Sequence, residues 1–422
     1  MSPPVSVLDA LAKATDGHAE RAGDAVRVAG VAASWVAWPG STDEVAEVLR
    51  VAAEHELRVV ATGSGSKLDW GVAPRAVDLV LRTGRLDRVV EHAAGDLVAV
   101  VEAGVALAAL AERLGAAGQR LAVDETVPGA TVGGTVATAA SGPSRLLYGA
   151  VRDLVIGATL VRADGVVARS GGKVVKNVAG YDLGKLVCGS YGTLGVLTRA
   201  AFRLHPVPVA RAFVSLAAGD PAGTHAAVQR VLRGPVVPTA VEVDRPAGDS
   251  TPATVTVLLE GTGTGVAGRT RQTVELLGAG ATARPDPPEA WGRHPAGPGD
   301  VLVKLSTAIG GLRLLLEAVA AGSAEAGLPV AVRGSAGVGV LYAGVPGGPA
   351  AADPGAVRQL VGGLRRSAPS WSGSVVVLDA PAPVRAAVDM WGPVSGLDLM
   401  RRVKQEFDPG SRLAPGRFVG GI

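Results

Sequence analysis

The chain has 422 residues, which is enough for two or three domains and a large hydrophobic core. Its 41 Lys and Arg nearly balance 38 Asp and Glu, so the composition gives no case for nucleic-acid binding. The only cysteine is Cys188, which excludes an internal disulfide and any zinc or iron–sulfur site held by cysteines of this chain alone.

The segment WPGSTDEVAEVLRVAAEHE, which starts at Trp38, predicts the first clear helix. Ser41 or Thr42 can cap it, and acidic residues fill its first turn. The strand LRVVATG follows and leads directly into a glycine-rich element, ATGSGSKLDWG, at Ala61–Gly71. The strands VDLVLR and LVAVVEAG and the helix LAALAERLGAAG come next. Short strands and helices alternate here without a repeating βαβ unit of constant length, which predicts an α+β fold.

This first glycine-rich element suits a phosphate ligand. A strand that ends in Thr-Gly-Ser-Gly-Ser presents several successive backbone N–H groups in one concavity. Thr62, Ser64 and Ser66 add hydroxyl donors. Lys67 either neutralises phosphate charge or points outward into solvent. The element therefore indicates a pyrophosphate site, although a short G-x-G turn is common by itself.

Two further glycine-rich elements follow. The second, VPGATVGGTVATAASGPSR at Val127–Arg145, contains mostly small residues, which either permit tight helix–sheet packing or leave room for a ligand. The third, SGGKVVKNVAGYDLGKLVCGSYGTLGVLT at Ser170–Thr198, combines dense glycines with Lys, Asn and Tyr donors and ends in an apolar run that predicts a strand. Glycines at that density let a backbone approach a ligand closely or adopt a positive φ.

A boundary is predicted where prolines cluster in RLHPVPVAR, and strand–helix units continue from there to about Pro393. They predict a mixed sheet with helices on one side. Within this region Gly263, Gly265 and Gly268 match the G-x-G-x-x-G fingerprint of dinucleotide-binding proteins. The segment after the next helix, GATARPDPPEAW, is not a buried strand that ends in an acidic residue. We therefore interpret the fingerprint as a turn and do not expect NAD to bind there.

The three glycine-rich elements in this order, with VRDLVIGATLVRADG before the last, resemble the FAD-binding domain of the vanillyl-alcohol oxidase (PCMH-type) family. The third element is similar to the FAD-binding E subunits of bacterial glycolate oxidases. The resemblance runs from about Val36 to Pro208 and returns in MRRVKQEFDPGSRLAPGRF, where the family has Asn at the position of Ala414.

The resemblance implies an α+β fold with three parts. A PCMH-type FAD-binding domain of two α+β subdomains is expected over residues 1–210, and a mixed-sheet α+β cap domain over residues 211–395. A C-terminal segment, residues 396–422, is expected to return to the FAD-binding domain.

The resemblance also implies one extended FAD across the three elements. None of the six histidines lies in a flavin loop, so we expect FAD to bind noncovalently, and Cys188 is the only remaining candidate for attachment. The implied cofactor-binding residues are Thr62, Gly63, Ser64, Gly65, Ser66, Lys67, Pro128, Gly129, Thr131, Gly133, Gly134, Ser141, Gly142, Asn177, Val178, Gly192, Gly195 and Val196.

Lys176 and Tyr181 are the side chains expected near the flavin, where a positive charge stabilises the anionic reduced ring and raises its potential. Tyr181 is alternatively a core tyrosine with a local hydrogen bond. Arg145, Tyr148 and Arg152 follow the second element closely, and the sequence leaves open whether they reach the ring or its substrate.

The expected cap domain departs from the 2-hydroxy-acid dehydrogenases of this family. Those enzymes carry a motif like GHAGDGNLH and a downstream EHG, whose histidines bind metal or act on the substrate hydroxyl. This chain has RGSAGVGVLYAGV, with Ser335 and Tyr342 where histidines would lie, and EHG occurs nowhere. Arg333, Tyr342 and Trp391 remain as candidate pocket residues. The catalytic candidates are Lys176, Tyr181, Arg333 and Tyr342. No acid/base pair is visible in the sequence.

We therefore expect a noncovalent FAD-binding subunit of a glycolate (2-hydroxy-acid) oxidase or dehydrogenase complex. It would handle electrons beside a catalytic flavoprotein subunit and an iron–sulfur subunit, and it would not oxidise 2-hydroxy acids alone. The alternatives are a self-sufficient FAD oxidoreductase for an unidentified alcohol or hydroxy acid, and a scaffold without flavin. The sequence has no signal-peptide pattern and no long uncharged stretch, so we expect a cytoplasmic protein, at most peripheral on a membrane.

Overall fold

The computed structural model of the chain describes residues 6–172, 182–248, 252–348 and 353–422. The chain forms two compact units. The first comprises Met1–Ala140, Ala150–Pro206 and Pro393–Ile422, and the second comprises Ser141–Gly149 and Val207–Gly392.

The helices of the described residues, in chain order, are α1 (Val7–Ala14), α2 (Thr42–Glu54), α3 (Leu107–Gly115), α4 (Val132–Thr138), α5 (Arg145–Tyr148), α6 (Val151–Leu154), α7 (Leu183–Val187), α8 (Pro221–Arg233), α9 (Gly263–Leu277), α10 (Leu312–Ala326), α11 (Pro354–Ser367), α12 (Ala382–Ala387) and α13 (Leu397–Phe407). The strands are β1 (Ala19–Arg21), β2 (Arg27–Val28), β3 (Val31–Ala32), β4 (Trp35–Ala37), β5 (Val59–Thr62), β6 (Leu79–Arg82), β7 (Val89–Ala93), β8 (Val98–Glu102), β9 (Gln119–Arg120), β10 (Val155–Val161), β11 (Val167–Gly171), β12 (Val196–Arg203), β13 (His205–Pro206), β14 (Ala210–Gly219), β15 (Ala240–Arg245), β16 (Ala253–Gly261), β17 (Thr282–Arg284), β18 (Val301–Ser306), β19 (Ala331–Ser335), β20 (Val340–Val345) and β21 (Ser374–Asp379).

Helix α2 begins where the sequence predicts it. The Ser41 side chain accepts a hydrogen bond from the Glu44 N–H at 3.1 Å, and the Glu44 carboxylate accepts one from the Gly40 N–H at 2.9 Å. These two bonds satisfy amide groups that the first turn of a helix leaves without partners. Val45 and Leu49 on one face are fully buried in the core of the first unit. The capping pattern and the apolar face together explain why this helix was predictable.

The first unit contains two main sheets. One has the strand order β1-β4-β6-β5, in which β6 runs parallel to both β4 and β5. The other is antiparallel, with the order β11-β10-β12-β8-β7. The carboxyl end of β5 leads directly into the first glycine-rich element. Chain direction in the four-stranded sheet therefore sets where that loop emerges.

The C-terminal segment pairs with β5 of the first unit. The Val59 N–H donates to the Arg412 carbonyl at 2.8 Å, and the Ala414 N–H donates to the Val59 carbonyl at 2.8 Å. The Lys404 ammonium on α13 is buried and donates to the Asp408 carboxylate at 2.5 Å and to the Thr193 carbonyl at 2.8 Å. Burial lowers the pKa of Lys404, while Asp408 opposes that shift. This buried pair ties the last segment of the chain to the third glycine-rich element.

The second unit is built on an eight-stranded sheet with the order β17-β14-β16-β15-β19-β20-β18-β21. Every pairing along it is antiparallel, so the expectation of a mixed sheet is corrected. The physical reason is a split βαβ arrangement that occurs twice. In the first arrangement of this kind, α8 connects β14 to β15, and β16 lies between these two strands in the sheet. In the second, α10 connects β18 to β19, and β20 lies between them. Strands joined by a helix run parallel, but an antiparallel strand separates them.

The sequence analysis interpreted the G-x-G-x-x-G glycines as a turn, and the structure corrects that interpretation. Gly263, Gly265 and Gly268 all lie within α9, whose first turn is capped by the Thr262 side chain. The preceding strand, β16, is antiparallel to both of its neighbours, and β17 after the helix is exposed. A dinucleotide-binding unit needs parallel strands around its glycine loop, so this region does not contain one.

A membrane-spanning helix needs about 20 consecutive, mostly apolar residues. Within the described ranges, no helix combines the length and the apolar character needed to cross a membrane.

Candidate functional site

A cleft in the first unit is lined by all three glycine-rich elements. The first contributes residues 62–68, the second contributes residues between 131 and 138, and the third contributes residues between 190 and 197. The cleft holds about 910 Å³ of empty space, counted out to its mouth. Elements that are far apart in sequence therefore meet in one site.

The loop after β5 presents backbone donors to this cleft. Gly65 has a φ of +85°, and a Cβ atom added there would meet only Thr62 Oγ1, at 4.0 Å. The Leu68 N–H donates to the Gly65 carbonyl at 2.9 Å and closes the turn. The amides of Ser64 and Gly65 have no hydrogen-bond partner among the described residues. A turn with free N–H groups is a favourable place for an anion.

Two cations lie in the wall of the cleft. The Lys67 side chain is only 8% exposed, which excludes the alternative of an outward, solvated lysine. Burial lowers the pKa of Lys67 to about 8, and Glu125 opposes that shift. Arg417 is also buried, and its Nη2 donates to the carbonyls of Leu68 at 2.7 Å and Trp70 at 2.8 Å. Lys67 and Arg417 are the charged residues that the described lining contains, so its charge favours an anion.

Sequence reasoning missed Arg417. It lies 349 positions from Leu68 in the chain, so no local pattern connects the two residues. The only available signal was its place in the C-terminal signature, three residues after Ala414. The structure shows that Arg417 both lines the cleft and holds the carbonyls of the first loop.

Several of the predicted cofactor glycines pack the elements together. A Cβ atom at Gly63 would overlap Thr131 Oγ1, one at Gly133 would lie 2.8 Å from Ala103 Cβ, and one at Gly195 would lie 2.6 Å from Leu160 Cδ1. All three glycines also line the cleft. The packing role and the ligand role, which the sequence left as alternatives for the second element, are therefore compatible.

Backbone hydrogen bonds join the second element to the third. The Gly189 N–H donates to the Val136 carbonyl, and the Tyr191 N–H donates to the Ala137 carbonyl, both at 2.9 Å. Thr131 caps α4 by accepting from the Gly134 N–H at 3.2 Å. Backbone hydrogen bonds therefore connect the parts of the second and third elements that form the wall of the cleft.

The remaining predicted cofactor residues are distributed as follows. Val196 and Gly192 line the cleft, and Gly192 has a φ of +74° with no atom within 4 Å of where a Cβ would lie. Pro128 and Gly129 belong to the first unit but lie outside the lining. Ser141 and Gly142 belong to the second unit. Four predicted residues lie outside the described residues: Lys176, Asn177, Val178 and Tyr181.

The structure describes both Ala414, where the family has Asn, and Cys188, the remaining candidate for covalent attachment of the flavin. Ala414 is buried with a φ of +46°, a left-handed conformation in which Asn is favoured over most other residues. The loop keeps that conformation without an Asn side chain, because its backbone pairs with Val59.

Cys188 is partly buried, and burial raises the pKa of its thiol to about 11. Cys188 is therefore a weak nucleophile near neutral pH.

The catalytic candidates of the second unit lie on one face of its sheet. Asp244, Arg333, Tyr342 and Lys304 are direct cross-strand partners in one row across β15, β19, β20 and β18. Direct partners project from the same face of a sheet. The Arg333 guanidinium forms an ion pair with Asp244, with Nε 3.0 Å from Oδ1. Trp391 lies beyond α12 and outside these rows.

The neighbouring row holds a hydrogen-bonded serine–carboxylate pair that the sequence did not reveal. The Ser335 hydroxyl donates to the Glu242 carboxylate at 2.5 Å, and both residues are buried. No acid/base pair is visible in the sequence, and the structure places a buried carboxylate in hydrogen-bond contact with Ser335. Glu242 is 93 positions from Ser335 and meets it only through the pairing of β15 with β19.

Burial also affects the groups around this pair. It raises the pKa of Tyr342 to about 12, a shift that Arg145 on α5 opposes. Burial and the charge of Arg145 both lower the pKa of Lys304. The His294 ring contacts the Tyr342 ring edge-on, with centroids 4.3 Å apart. Among the described residues, no group of three or more His, Cys, Asp or Glu side chains is arranged to hold a metal ion.

Comparisons with known proteins agree with the geometry of the cleft. Residues 33–171 match a family model described as an FAD binding domain. Glycolate oxidase subunit GlcD of Bacillus subtilis (strain 168) is 32% identical over 210 residues, which cover 49% of this chain and 45% of that protein. Glycolate oxidase subunit GlcE of Escherichia coli (strain K12) is 38% identical over 174 residues, covering 40% of this chain and 48% of that protein. The matches thus span about half the length of these relatives.

The whole fold also has a counterpart among solved structures. The crystal structure of p-cresol methylhydroxylase with substrate bound aligns with a TM-score of 0.76 and 16% identity, over 97% of this chain and 96% of that one. An identity this low shows the fold alone. The expected fold class, α+β with a PCMH-type FAD-binding domain, is confirmed. FAD is the cofactor of this chain, and free amides beside two buried cations suit its pyrophosphate.

Proposed function

We propose that this chain is the noncovalent FAD-binding subunit of a glycolate (2-hydroxy-acid) oxidase or dehydrogenase complex. In that complex it transfers electrons beside a catalytic flavoprotein subunit and an iron–sulfur subunit. The observation that carries the proposal is the cleft of the first unit, with its glycine turn and two buried cations. The likeness to two glycolate oxidase subunits supports the choice of complex.

Different residues of the cleft contribute different interactions to FAD binding. The amides of Ser64 and Gly65 donate to pyrophosphate oxygens, and Lys67 and Arg417 neutralise their charge. Arg417 also fixes the carbonyls that follow the turn, so the amides keep one orientation before the cofactor arrives. When bound, FAD supplies the acceptor for two electrons, which no side chain of the chain can provide.

The noncovalent attachment rests on two observations. None of the six histidines, all of which lie in the described ranges, is part of the lining of the cleft. Cys188 is the other residue considered for attachment, and its raised pKa keeps it in the less reactive, protonated thiol form. Neither type of side chain is therefore prepared to bond to the flavin.

A second candidate function, a self-sufficient FAD oxidoreductase for an alcohol or hydroxy acid, is favoured by one observation. The Glu242 carboxylate accepts a short hydrogen bond from Ser335 and can take a proton that a hydroxyl substrate passes to Ser335. A positioned general base typically accelerates a reaction by about 10²–10⁴-fold. The serine at this position therefore does not by itself exclude turnover by the chain alone.

Stopped-flow mixing under anaerobic conditions separates the two candidates. The purified FAD-loaded chain is mixed with glycolate or D-lactate, and loss of the long-wavelength flavin absorbance is followed. We expect slow or absent bleaching with the chain alone and fast bleaching when the catalytic flavoprotein subunit is added. Fast bleaching by the chain alone would replace the subunit proposal with the self-sufficient enzyme.

A further inference from the structure

A groove in the first unit lies apart from the FAD cleft. Its described lining consists of residues 87–90 at the start of β7, four residues of α3 and its C-terminal end, and Val105 and Arg199. The four helix residues are Ala109, Glu112, Arg113 and Ala116. The described linings of the groove and of the cleft have no residue in common, so a ligand of the groove would not occupy the FAD site.

The fully buried Glu102 carboxylate is bonded mainly to one arginine of the groove, Arg88. Glu102 Oε2 accepts from the Arg88 backbone N–H and from Arg88 Nε, both at 3.1 Å, and Glu102 Oε1 accepts from Arg88 Nη2 at 2.9 Å. Arg199 Nη2 also donates to Oε1, but at 3.4 Å. Glu102 therefore gives Arg199 only one long hydrogen bond.

The Arg199 guanidinium consequently has too few hydrogen-bond acceptors. Its Nε is buried and has no hydrogen-bond partner, and the long contact with Glu102 is the one bond that the described part of the chain gives this side chain. Leaving a buried donor unsatisfied costs free energy. The Arg199 side chain is 34% exposed and lines the groove, so an acceptor can reach the guanidinium from there.

Two guanidinium groups around one carboxylate leave one positive charge in excess. The Nη2 atoms of Arg88 and Arg199 contact the same Glu102 oxygen at 2.9 Å and 3.4 Å, so they lie no more than about 6.3 Å apart. A single anion in the groove can therefore contact both groups. Carboxylates are anions whose geometry matches an arginine side chain.

The other charged residues of the described lining are Asp87, Glu112 and Arg113. All three are exposed, so water and salt screen them more strongly than the buried carboxylate and its two arginines. Asp87 and Glu112 would repel a second negative charge on a ligand. The groove therefore suits an anion with one charge.

The rest of the described lining is apolar. It comprises Val89, Val90, Val105, Ala109 and Ala116, and Val90 is 45% exposed. Successive residues of a regular strand face opposite sides of a sheet. Val89 and Val90 both line the groove, because an irregularity in the pairing of β7 with β8 falls between Val89 and Glu91. An aliphatic chain that covers these side chains would remove apolar surface from water.

We propose that this groove binds an aliphatic monocarboxylate. Its carboxylate contacts Arg199 and Arg88, and its chain covers Val89, Val90 and Val105. The inference does not depend on the proposed function, because the groove is separate from the FAD cleft.

Calorimetric titration of the full FAD-loaded chain with hexanoate tests the proposal. Hexanoate should bind at least about tenfold more tightly than acetate, which lacks the chain, and than 1-hexanol, which lacks the charge. Hexyl phosphate carries about 1.5–2 negative charges at pH 7 and should bind more weakly than hexanoate. Absence of hexanoate binding, equal affinity for acetate or 1-hexanol, or a preference for hexyl phosphate would overturn the inference.

Arg199→Gln should weaken hexanoate binding by about tenfold or more, because it removes a charge-assisted hydrogen bond and leaves the Arg88–Glu102 pair in place. Arg199→Lys keeps the charge and should retain more affinity than Arg199→Gln. Arg50→Gln is the matched control, because Arg50 is an exposed cation on α2 that pairs with Glu47 outside the groove. It should leave the affinity unchanged. Unchanged hexanoate affinity in Arg199→Gln would contradict the proposed site.

A second pair of variants decides the question if Arg199→Gln does not fold. Ala109 and Ala111 are both exposed on α3, and glutamate is a good helix former, but only Ala109 lines the groove. Ala109→Glu should weaken hexanoate binding by about tenfold or more, and Ala111→Glu should change it far less. Equal effects would overturn the inference. Flavin absorbance is followed in the same titrations, and release of FAD by hexanoate would place the acid in the cleft instead.

Discussion

The cleft of the first unit and the polar sheet face of the second unit are built in different ways. The cleft is made of loops, and each loop brings its functional groups from a short run of sequence such as residues 62–68. The sheet face is made of rows, and each row brings together single residues from four strands. A loop site can therefore be recognised in sequence as a motif, whereas a row site becomes visible only once strand register is known.

The two regions also manage charge differently. In the cleft, Arg417 donates to backbone carbonyls, and the buried Lys67 belongs to the loop whose Ser64 and Gly65 amides are free. On the sheet face, the charge of Arg333 is matched by Asp244, and Ser335 is bonded to Glu242. Substitutions in the cleft should therefore act mainly on cofactor affinity, and substitutions in the rows should act mainly on stability.

The largest effect is expected at the buried pair behind the cleft. Lys404→Met leaves the fully buried Asp408 without its cation and breaks the bond to the Thr193 carbonyl. Removing one partner of a buried ion pair costs about 3–5 kcal/mol. The free energy of unfolding, measured by denaturant titration, should fall by that amount. Arg313→Met, at an exposed ion pair, should change it by less than about 0.5 kcal/mol. A similar loss of unfolding free energy in the two variants would contradict a stabilising role for the buried Lys404–Asp408 pair.

Gly65→Val tests the turn in the cleft. The positive φ of Gly65 is strained for any residue with a Cβ, and a β-branched side chain adds to the strain. We expect FAD affinity to fall by about 100-fold, or about 2.7 kcal/mol, measured by flavin fluorescence on titration into apoprotein. Gly118→Val is the control: Gly118 also has a positive φ and open surroundings, but it does not line the cleft. If both variants bind FAD equally, the phosphates lie elsewhere.

Ser335→Ala tests whether the rows are independent of the cleft. It leaves the buried Glu242 carboxylate without its hydroxyl donor, which costs about 1–3 kcal/mol in unfolding free energy. FAD affinity should stay within about twofold of the unmodified chain, a difference well under 1.4 kcal/mol. Ser306→Ala removes a hydroxyl from the same row, where Ser306 bonds to Ser374 at an exposed position, and should cost less. A large loss of FAD affinity in Ser335→Ala would show that the two regions are not separable.

A pH dependence from Lys67 is expected as well. Because the pKa of Lys67 falls from its usual value near 10.5 to about 8 on folding, the unfolded chain binds more protons between these pH values. This residue therefore makes the apoprotein more stable as the pH rises from about 8 to about 10.5. FAD affinity should change in the opposite direction, falling by about tenfold as the pH rises through about 8, because the neutral amine no longer attracts phosphate. Lys67→Met should abolish both trends, and their persistence would place the responsible group elsewhere.

Sequence patterns predicted those structural features that depend on residues close together in the chain. The cap and apolar face of α2 and the glycine-rich elements at Thr62, Thr131 and Gly192 are local signals. The structure contains that helix and brings residues of the three elements together in one cleft. The partners Glu242 and Arg417 depend on long-range pairing, which no local pattern encodes. The antiparallel order of the second sheet was missed for the same reason, since a strand–helix alternation does not reveal which strands become neighbours.

The central claim is that the cleft of the first unit holds FAD without a covalent bond. Acid precipitation of the purified chain, followed by absorbance spectroscopy of supernatant and pellet, tests it most directly. We expect one FAD per chain, with all of the yellow colour in the supernatant. A colourless chain that fails to take up added FAD, or flavin that remains in the pellet, would contradict the claim.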